Sequence, residues 1–369
     1  MDNCVIPHGY KATALGIIPQ EWEVMLLGNL SNSISSGRNK HRDAHGQYPV
    51  FGSTGIIGYS STYEYEGPAI LVARVGANAG TLNFASGQYD VSDNTLIITI
   101  KQNVYDYNFA YNQLTHYKLN KLVFGSGQPL ITSKQLKNIR IPVPPLAEQR
   151  KIAEVLGVWD KAIEKQARLI EKLALRKRAL MQRLLSAKLR LPGFSEPWKK
   201  VKLGDVAELY QPQTIQSEDL SQTGYPVYGA NGLIGYYNNY NHEYPQVVIT
   251  CRGSSCGTVN FTPGKCWITG NAMVLNVDNN RDVNKSFFYY LISNSSFVNL
   301  ISGSGQPQIV RQPLLKFELR IPPLKEQTAI AEVLTAADRE IDLAKEKLER
   351  LRRQKRGLMQ QLLTGKKRI

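Results

Sequence analysis

The chain is one unit written twice, so any fold proposed for it must fit two copies of one architecture into 369 residues. Trp22 matches Trp198 at an offset of 176, and GSTGIIGY (52–59) matches GANGLIGY (229–236) at 177. Arg74 matches Arg252 at 178, and Asn94 matches Asn271 at 177. GSGQP (125–129 and 303–307), PPLAEQ/PPLKEQ (144–149 and 322–327) and LMQRLL/LMQQLL (180–185 and 358–363) all recur at 178. Seven ordered matches at nearly constant offset exclude coincidence, and self-similarity on this scale governs the fold.

Each copy has two parts. The first, of about 120 residues, is rich in Gly, Asn and Tyr with short β-branched runs. AILVAR (69–74), TLIITI (95–100), VVITC (247–251) and AMVLNV (272–277), each bounded by turn residues, predict strands. The second part is poor in Gly and rich in Leu, Lys, Arg, Glu and Ala, a helical composition. Steps of four and three from Ile152 reach Leu156, Trp159, Ile163, Gln166, Ile170, Leu173, Lys177, Leu180 and Leu184. The same steps from Ile330 reach Leu334, Ala337, Ile341, Ala344, Leu348, Leu351, Lys355, Leu358 and Leu362. These are two coiled-coil seams. Pro145 and Pro323 precede the helices, Glu148 and Glu326 sit in the first turns, and Gly193 and Gly365 are the expected stops. Most seam residues need no role beyond packing. Lys177 and Lys355 are the exceptions, either fixing register or marking a splayed seam.

The fold class expected is α+β: two strand-rich domains in a pseudo-twofold repeat, joined by two long helices forming an antiparallel coiled coil. The boundaries expected are an N-terminal segment 1–21, a domain 22–145, a helix 146–190, a second domain 191–323 and a second helix 324–369. The second helix ends at LLTGKKRI where the middle junction runs on through LLSAKLRLPGFSEPW (184–198), and the segment before Trp22 supplies the missing stretch, which makes the repeat circular.

Net charge is +15, which points to a polyanionic partner such as nucleic acid, although a basic protein without one has the same composition. The excess is uneven: 12 Lys+Arg against 5 Asp+Glu in 146–190, and 12 against 7 in 324–369. The globular parts are almost balanced, so the helices face DNA or an acidic partner surface, or carry a solvated face with internal ion pairs.

No apolar run is long enough to span a membrane, no signal peptide is evident, and a cytoplasmic location is expected. There is no G-x-x-x-x-G-K-[ST] loop, no Asn-Pro-Pro-Tyr or Asp-Pro-Pro-Tyr, no H-E-x-x-H and no G-x-S-x-G. His41-Arg42-Asp43 resembles the kinase triplet, but Tyr48 stands where an Asn is required, and it reads as a polar loop. Cys4, Cys251, Cys256 and Cys266 are too few for a disulfide framework. With His242 the last three offer thiolate ligands, but Cys251 aligns with Ala73 and Cys256 with Ala79, so packing cysteines are expected. No catalytic residue, metal or cofactor is expected.

The two W-x(4)-L-G starts (Trp22, Leu27, Gly28; Trp198, Leu203, Gly204), the paired GSGQP segments and I-P-x-P-P-L-x-E-Q entering the first helix carry a resemblance. The second copy, IPPLKEQ (321–327), is two residues shorter, and LL-[ST]-[AG]-K closes both helices. The chain resembles the specificity subunit of type I restriction-modification systems over its whole length. The resemblance implies two target-recognition domains that each read half of a split site in double-stranded DNA. It implies helices that space those domains and dock two methyltransferase subunits, restriction (motor-nuclease) subunits that join them, and no active site in this chain. A methylation-only or type II-like system would use the same kind of subunit. From another class, a coiled-coil adaptor with two protein- or carbohydrate-binding domains stays open.

Bases are read by side chains on groove edges, while phosphate contacts set position. Candidate DNA-binding residues are Ser53, Thr54, Arg74, Asn78, Asn94 and Gln128 in the first copy. In the second they are Asn231, Arg252, Ser254, Asn271, Gln306 and Gln308. Residues common to both copies, such as Asn94 with Asn271 and Gln128 with Gln306, equally suit bracing the fold. Residues that differ, such as Ser53 against Ala230 or Thr54 against Asn231, suit discrimination between half-sites.

Overall fold

A computed structural model describes residues 6–40, 43, 45–124, 129–229, 232–303 and 305–369. Cys4, His41, Arg42, Gln128, Ala230 and Asn231 lie outside the described residues. The chain divides into two units, residues 1–167 with 347–369, and residues 168–346.

In the first unit a four-stranded antiparallel sheet has the order Ser31–Ser36, Thr95–Ile100, Ala69–Ala73, Leu82–Ala85. Alternate side chains of a strand point to opposite faces, and the two central strands use both. Ile70, Val72, Leu96 and Ile98 join Trp22, Leu27, Leu30, Phe109, Leu114, Ile152, Leu156, Leu362 and Leu363 in the main core. Ala69, Leu71 and Ile97 pack on the other side with Ala85, Tyr89 and Val91. Strands apolar on both faces are why these runs lack alternation in the sequence. A second sheet, in the order Gly55–Ser60, Tyr48–Gly52, Gln88–Val91, Tyr65–Glu66, closes that smaller core.

The second unit repeats the plan. Its antiparallel sheet runs Glu208–Tyr210, Ala272–Asn276, Val247–Thr250, Val259–Phe261, with a second sheet of Gly232–Tyr237, Tyr225–Gly229 and Trp267–Ile268. Val247, Ile249, Met273 and Leu275 enter the main core, while Val248, Ala272 and Val274 pack with Cys266 and Ile268. The four expected strands are present as 69–73, 95–100, 247–250 and 272–276.

The two long helices are Leu146–Leu184 and Leu324–Leu362, 39 residues each, about 58 Å at 1.5 Å per residue. Within each unit their segments run antiparallel. In the first unit Glu148 meets Arg368 and Asp160 meets Lys355. In the second unit Leu173 packs with Ile341 and Ala344, Lys177 meets Asp338, and Arg190 meets Glu326. As one index rises the other falls, which is the expected coiled-coil direction. Lys177 and Lys355 are therefore no sign of splaying: each pairs at 2.5 Å with an aspartate of the facing helix. Tyr290 also donates to Asp338, at 2.7 Å.

Glu148 and Glu326 do more than complement a helix dipole. Each is buried and accepts from the indole Nε1 of Trp22 at 3.1 Å or of Trp198 at 3.2 Å. Each is also gripped by two nitrogens of an arginine, Arg368 on Glu148 at 3.0 and 2.8 Å, and Arg190 on Glu326 at 2.6 and 2.8 Å. Paired guanidinium and carboxylate forks are strong and directional. Removing the carboxylate strands an arginine and an indole donor. Glu326→Ala should destabilise the protein by about 2–3 kcal/mol, somewhat under the ~3–5 expected for a fully buried pair because Arg190 is partly exposed. A thermal-melt decrease of several degrees checks this. Glu326→Gln, which keeps an acceptor for the indole, should recover part of the loss, and an unchanged melting temperature in the alanine variant would contradict the assignment.

The helix stops differ from expectation in one copy. Gly365, at φ +73°, follows the second helix as predicted, but the first helix ends at Leu184 and Gly193 lies well beyond it. Ala187, at φ +57°, takes the place of Gly365. Leu189 N then donates to Arg183 O at 3.0 Å, as Lys367 N does to Gln361 O at 3.1 Å. A left-handed alanine costs about 1–2 kcal/mol, which the packing of Leu184 and Leu185 in the core offsets.

Candidate nucleic-acid interface

In each unit a run of backbone hydrogen bonds ties together the loops that carry the candidate residues. In the first unit Ser92 N donates to Phe51 O, Arg74 N to Asn94 O and Ile131 N to Arg74 O, all at 2.9 Å, and Gly76 N donates to Pro129 O at 3.0 Å. The hairpin tip carrying Ser53 and Thr54, the turn at Asn94 and the loop 74–80 are thereby brought to one edge. Gly55, at φ +102°, makes the tight exit from the hairpin tip that a side chain would strain. Thr54, Asn78 and Asn94 are exposed, and Ser53 and Arg74 are half-buried.

The second unit has the same wiring. Thr269 N donates to Tyr228 O at 2.9 Å, Cys251 N to Asn271 O at 3.1 Å, Ile309 N to Cys251 O at 2.9 Å and Gly253 N to Pro307 O at 3.0 Å. Arg252, Ser254, Asn271, Gln306 and Gln308 are all exposed. Arg252 pairs across an antiparallel bridge with Gln308, so these two candidates stand side by side.

This wiring corrects one equivalence. Arg74 donates to Asn94 and accepts from Ile131, and Cys251 donates to Asn271 and accepts from Ile309. Cys251 therefore occupies the place of Arg74, not of Ala73, while Arg252 occupies that of Val75, since Val75 bridges to Leu130 as Arg252 bridges to Gln308. Neighbouring residues of an extended segment point to opposite sides, so the two arginines differ in setting. Arg74 turns inward, its Nη1 3.5 Å from Ser36 Oγ, and its buried Nε meets no acceptor among the described residues. A buried N–H without a partner is costly, and an acceptor from a ligand would relieve it. Arg252 is exposed.

The structure adds two cations to the first cluster. Arg38 and Lys40 are exposed on either side of Asn39, whose N donates at 2.9 Å to the O of Val91, the residue paired with Phe51 near the hairpin tip. The signal was present in SSGRNK (35–40), two cations in a polar, Gly-containing stretch.

The three described cysteines, Cys251, Cys256 and Cys266, pack in or against the cores. Cys251 and Cys266 are buried in cores, and burial pushes the Cys251 thiol up to about 11. The Cys256 and Cys266 thiols are raised by the same cause. His242 is engaged at both ring nitrogens, with Tyr210 Oη at 2.9 Å and Asn241 Oδ1 at 2.6 Å. Among the described residues no three His, Cys, Asp or Glu side chains gather as a metal site, and no helix is long and apolar enough to cross a membrane.

Comparison with known proteins agrees with this arrangement. The chain is 24% identical to the type I restriction enzyme MjaVIII specificity subunit of Methanocaldococcus jannaschii, over 95% of this chain and 94% of that protein. It is 26% identical to a putative type I restriction enzyme MjaX specificity subunit of the same organism, over 98% and 97%. Its fold is similar to the crystal structure of a type I restriction-modification S subunit from M. genitalium, with a TM-score of 0.65 and 20% identity over 93% of this chain and 96% of that one. The type I restriction modification DNA specificity domain model matches twice, at residues 19–174 and 195–353. Two matches that together take in both loop clusters and most of both long helices place this chain in the type I restriction-modification DNA specificity family.

Proposed function

We propose that this chain reads a bipartite DNA target, one half with each loop cluster, and directs methyltransferase and restriction subunits to it. The observation that carries this is the repeated wiring with different side chains on it. The same backbone hydrogen bonds present Ser53, Thr54, Arg74 and Asn78 in one unit and Arg252, Ser254 and Gln308 in the other. A scaffold that holds its geometry while its exposed residues change suits the reading of two unlike sequences. Asn94 and Asn271, common to both, suit phosphate positioning, and the Arg74 Nε, without a partner among the described residues, suits an acceptor on DNA. Gln128 and Asn231 belong to the same proposal by sequence position.

The basic long helices would dock two methyltransferase subunits and space the recognition units, with restriction subunits added to that core. The domain boundaries that go with this reading are 22–145 and 191–323 for recognition and 146–190 and 324–369 for the helices, in a cytoplasmic complex. The chain would contribute no active site. Purified alone and incubated with DNA, S-adenosylmethionine and ATP, it is expected to leave DNA unmethylated and uncut. Its binding to duplex should weaken steeply with salt, because phosphate contacts release counterions. Methylation or cleavage that persisted through stringent purification, or binding indifferent to salt, would remove this reading.

A further inference from the structure

The hairpin that carries the tip residues has an apolar edge that the fold does not use. Ile56 is 54% exposed and Leu233, at the same position of the second unit, is 50% exposed. In the first unit the neighbour Ile57 is half-buried over Gly52, where an added Cβ would meet it at 2.7 Å, whereas in the second the neighbour Ile234 lies beside Gly229 and is itself 49% exposed, so the apolar edge there is two residues wide. In both units the strand pairing slips by a bulge just here, between Val50 and Phe51 and between Val227 and Tyr228. Bulges re-aim side chains, and Ile56 pairs opposite Phe51 as Leu233 does opposite Tyr228. A large aliphatic chain therefore stands in water at the same bulged position in both units.

We propose that Ile56 and Leu233 are apolar wedges that enter the DNA groove and distort a base step. This rests on the reading that the loop clusters face DNA. Continuity with those clusters selects the occupant. Ile56 and Leu233 lie at the tip-side end of their hairpins, and the residues paired with them, Phe51 and Tyr228, accept from Ser92 N and Thr269 N, each two residues from Asn94 or Asn271. In the first unit the exposed Arg38 and Lys40 flank Asn39, which bonds to Val91 opposite Phe51, placing positive charge where phosphates would pass. Apolar insertion at a base step, flanked by cations, is a recurrent way to bend or open a duplex. Both units carry an aliphatic residue here, so the contact is one that two different half-sites can share. It supplies deformation, and the tip residues supply discrimination.

The test uses the full chain assembled with its methyltransferase subunits and a duplex containing a genomic site that the complex methylates. Affinity is followed by anisotropy across a salt series and bending by energy transfer between end labels. Ile56→Ala with Leu233→Ala should weaken binding by about tenfold or more, the order expected for losing several buried methyl groups. The bend should fall, the salt slope should stay, and the methylated sequence should not change. Ile56→Phe should keep the bend, and a mismatch placed at the distorted step should restore affinity to the alanine variant. Unchanged affinity and bend, or a loss confined to assembly with the methyltransferase subunits, overturns the proposal. Thr54→Ala and Asn78→Ala are measured in parallel. If they alter the half-site while the alanine wedge variant is silent, the wedge alone is wrong. If all are silent, the reading of the loops falls with it.

Discussion

Replacing residues 22–145 with the equivalent segment of another specificity subunit is expected to change one half of the methylated sequence and leave the other half intact. The reason lies in how each unit is built. The first unit has its own main core and its own smaller core behind the loops, and so does the second. The loop wiring closes within each unit, through Phe51, Ser92, Asn94, Arg74 and Ile131 in one and Tyr228, Thr269, Asn271, Cys251 and Ile309 in the other. The exchanged segment must be joined so that its tryptophan still meets Glu148, since that indole and Arg368 are what hold the buried carboxylate. The expected effect is a switch of one half-site, read by sequencing methylated DNA. Simultaneous change of both halves would show that the units do not read independently.

Lengthening both helices by one heptad is expected to lengthen the gap between half-sites without changing either. Each long helix contributes to both units: the first places Ile152 and Leu156 in one core and Leu184 in the other, and the second places Ile330 and Leu334 in one and Leu362 in the other. Extending one helix alone would pull a cluster of core residues out of register. Insertions at facing positions, after Glu171 and after Leu343, keep the seam and the Lys177–Asp338 and Lys355–Asp160 pairs on their own sides. Seven residues add about 10.5 Å of helix, or about three base pairs at 3.4 Å each. Rotation of one half-site about the DNA axis narrows what is tolerated, so a gap longer by about one to three pairs is expected. A variant still active on the original gap, with no preference for a longer one, would make the helices a tether.

Much of this architecture was legible because its signals are local. The seams, the prolines before the helices and the buried apolar runs each state their structure within a few residues. What was not legible depends on contacts distant in sequence. Nothing near Glu148 announces that Arg368, 220 residues away, will grip it. Ala187 carries no sequence mark of the left-handed turn that Gly365 makes at the end of the other helix. The candidate site shows the same limit more sharply. Matching Arg74 to Arg252 by residue type gave an offset one too large for that loop, and only the hydrogen bonds of Asn94 and Asn271 reveal the slip. One residue of error in an extended segment reverses the side a chain faces. For the same reason Ile56 and Leu233, which sit inside the repeated GSTGIIGY and GANGLIGY segments, read as ordinary strand residues, and only the bulge they face together with their exposure marks them.

The most direct test of the account is to map every methylated position in the DNA of cells expressing this chain with its methyltransferase subunits. Two short defined sequences separated by a fixed stretch of unspecified bases are predicted, absent when the chain is omitted. A single continuous target, or a methylation pattern that is the same with and without the chain, would contradict it.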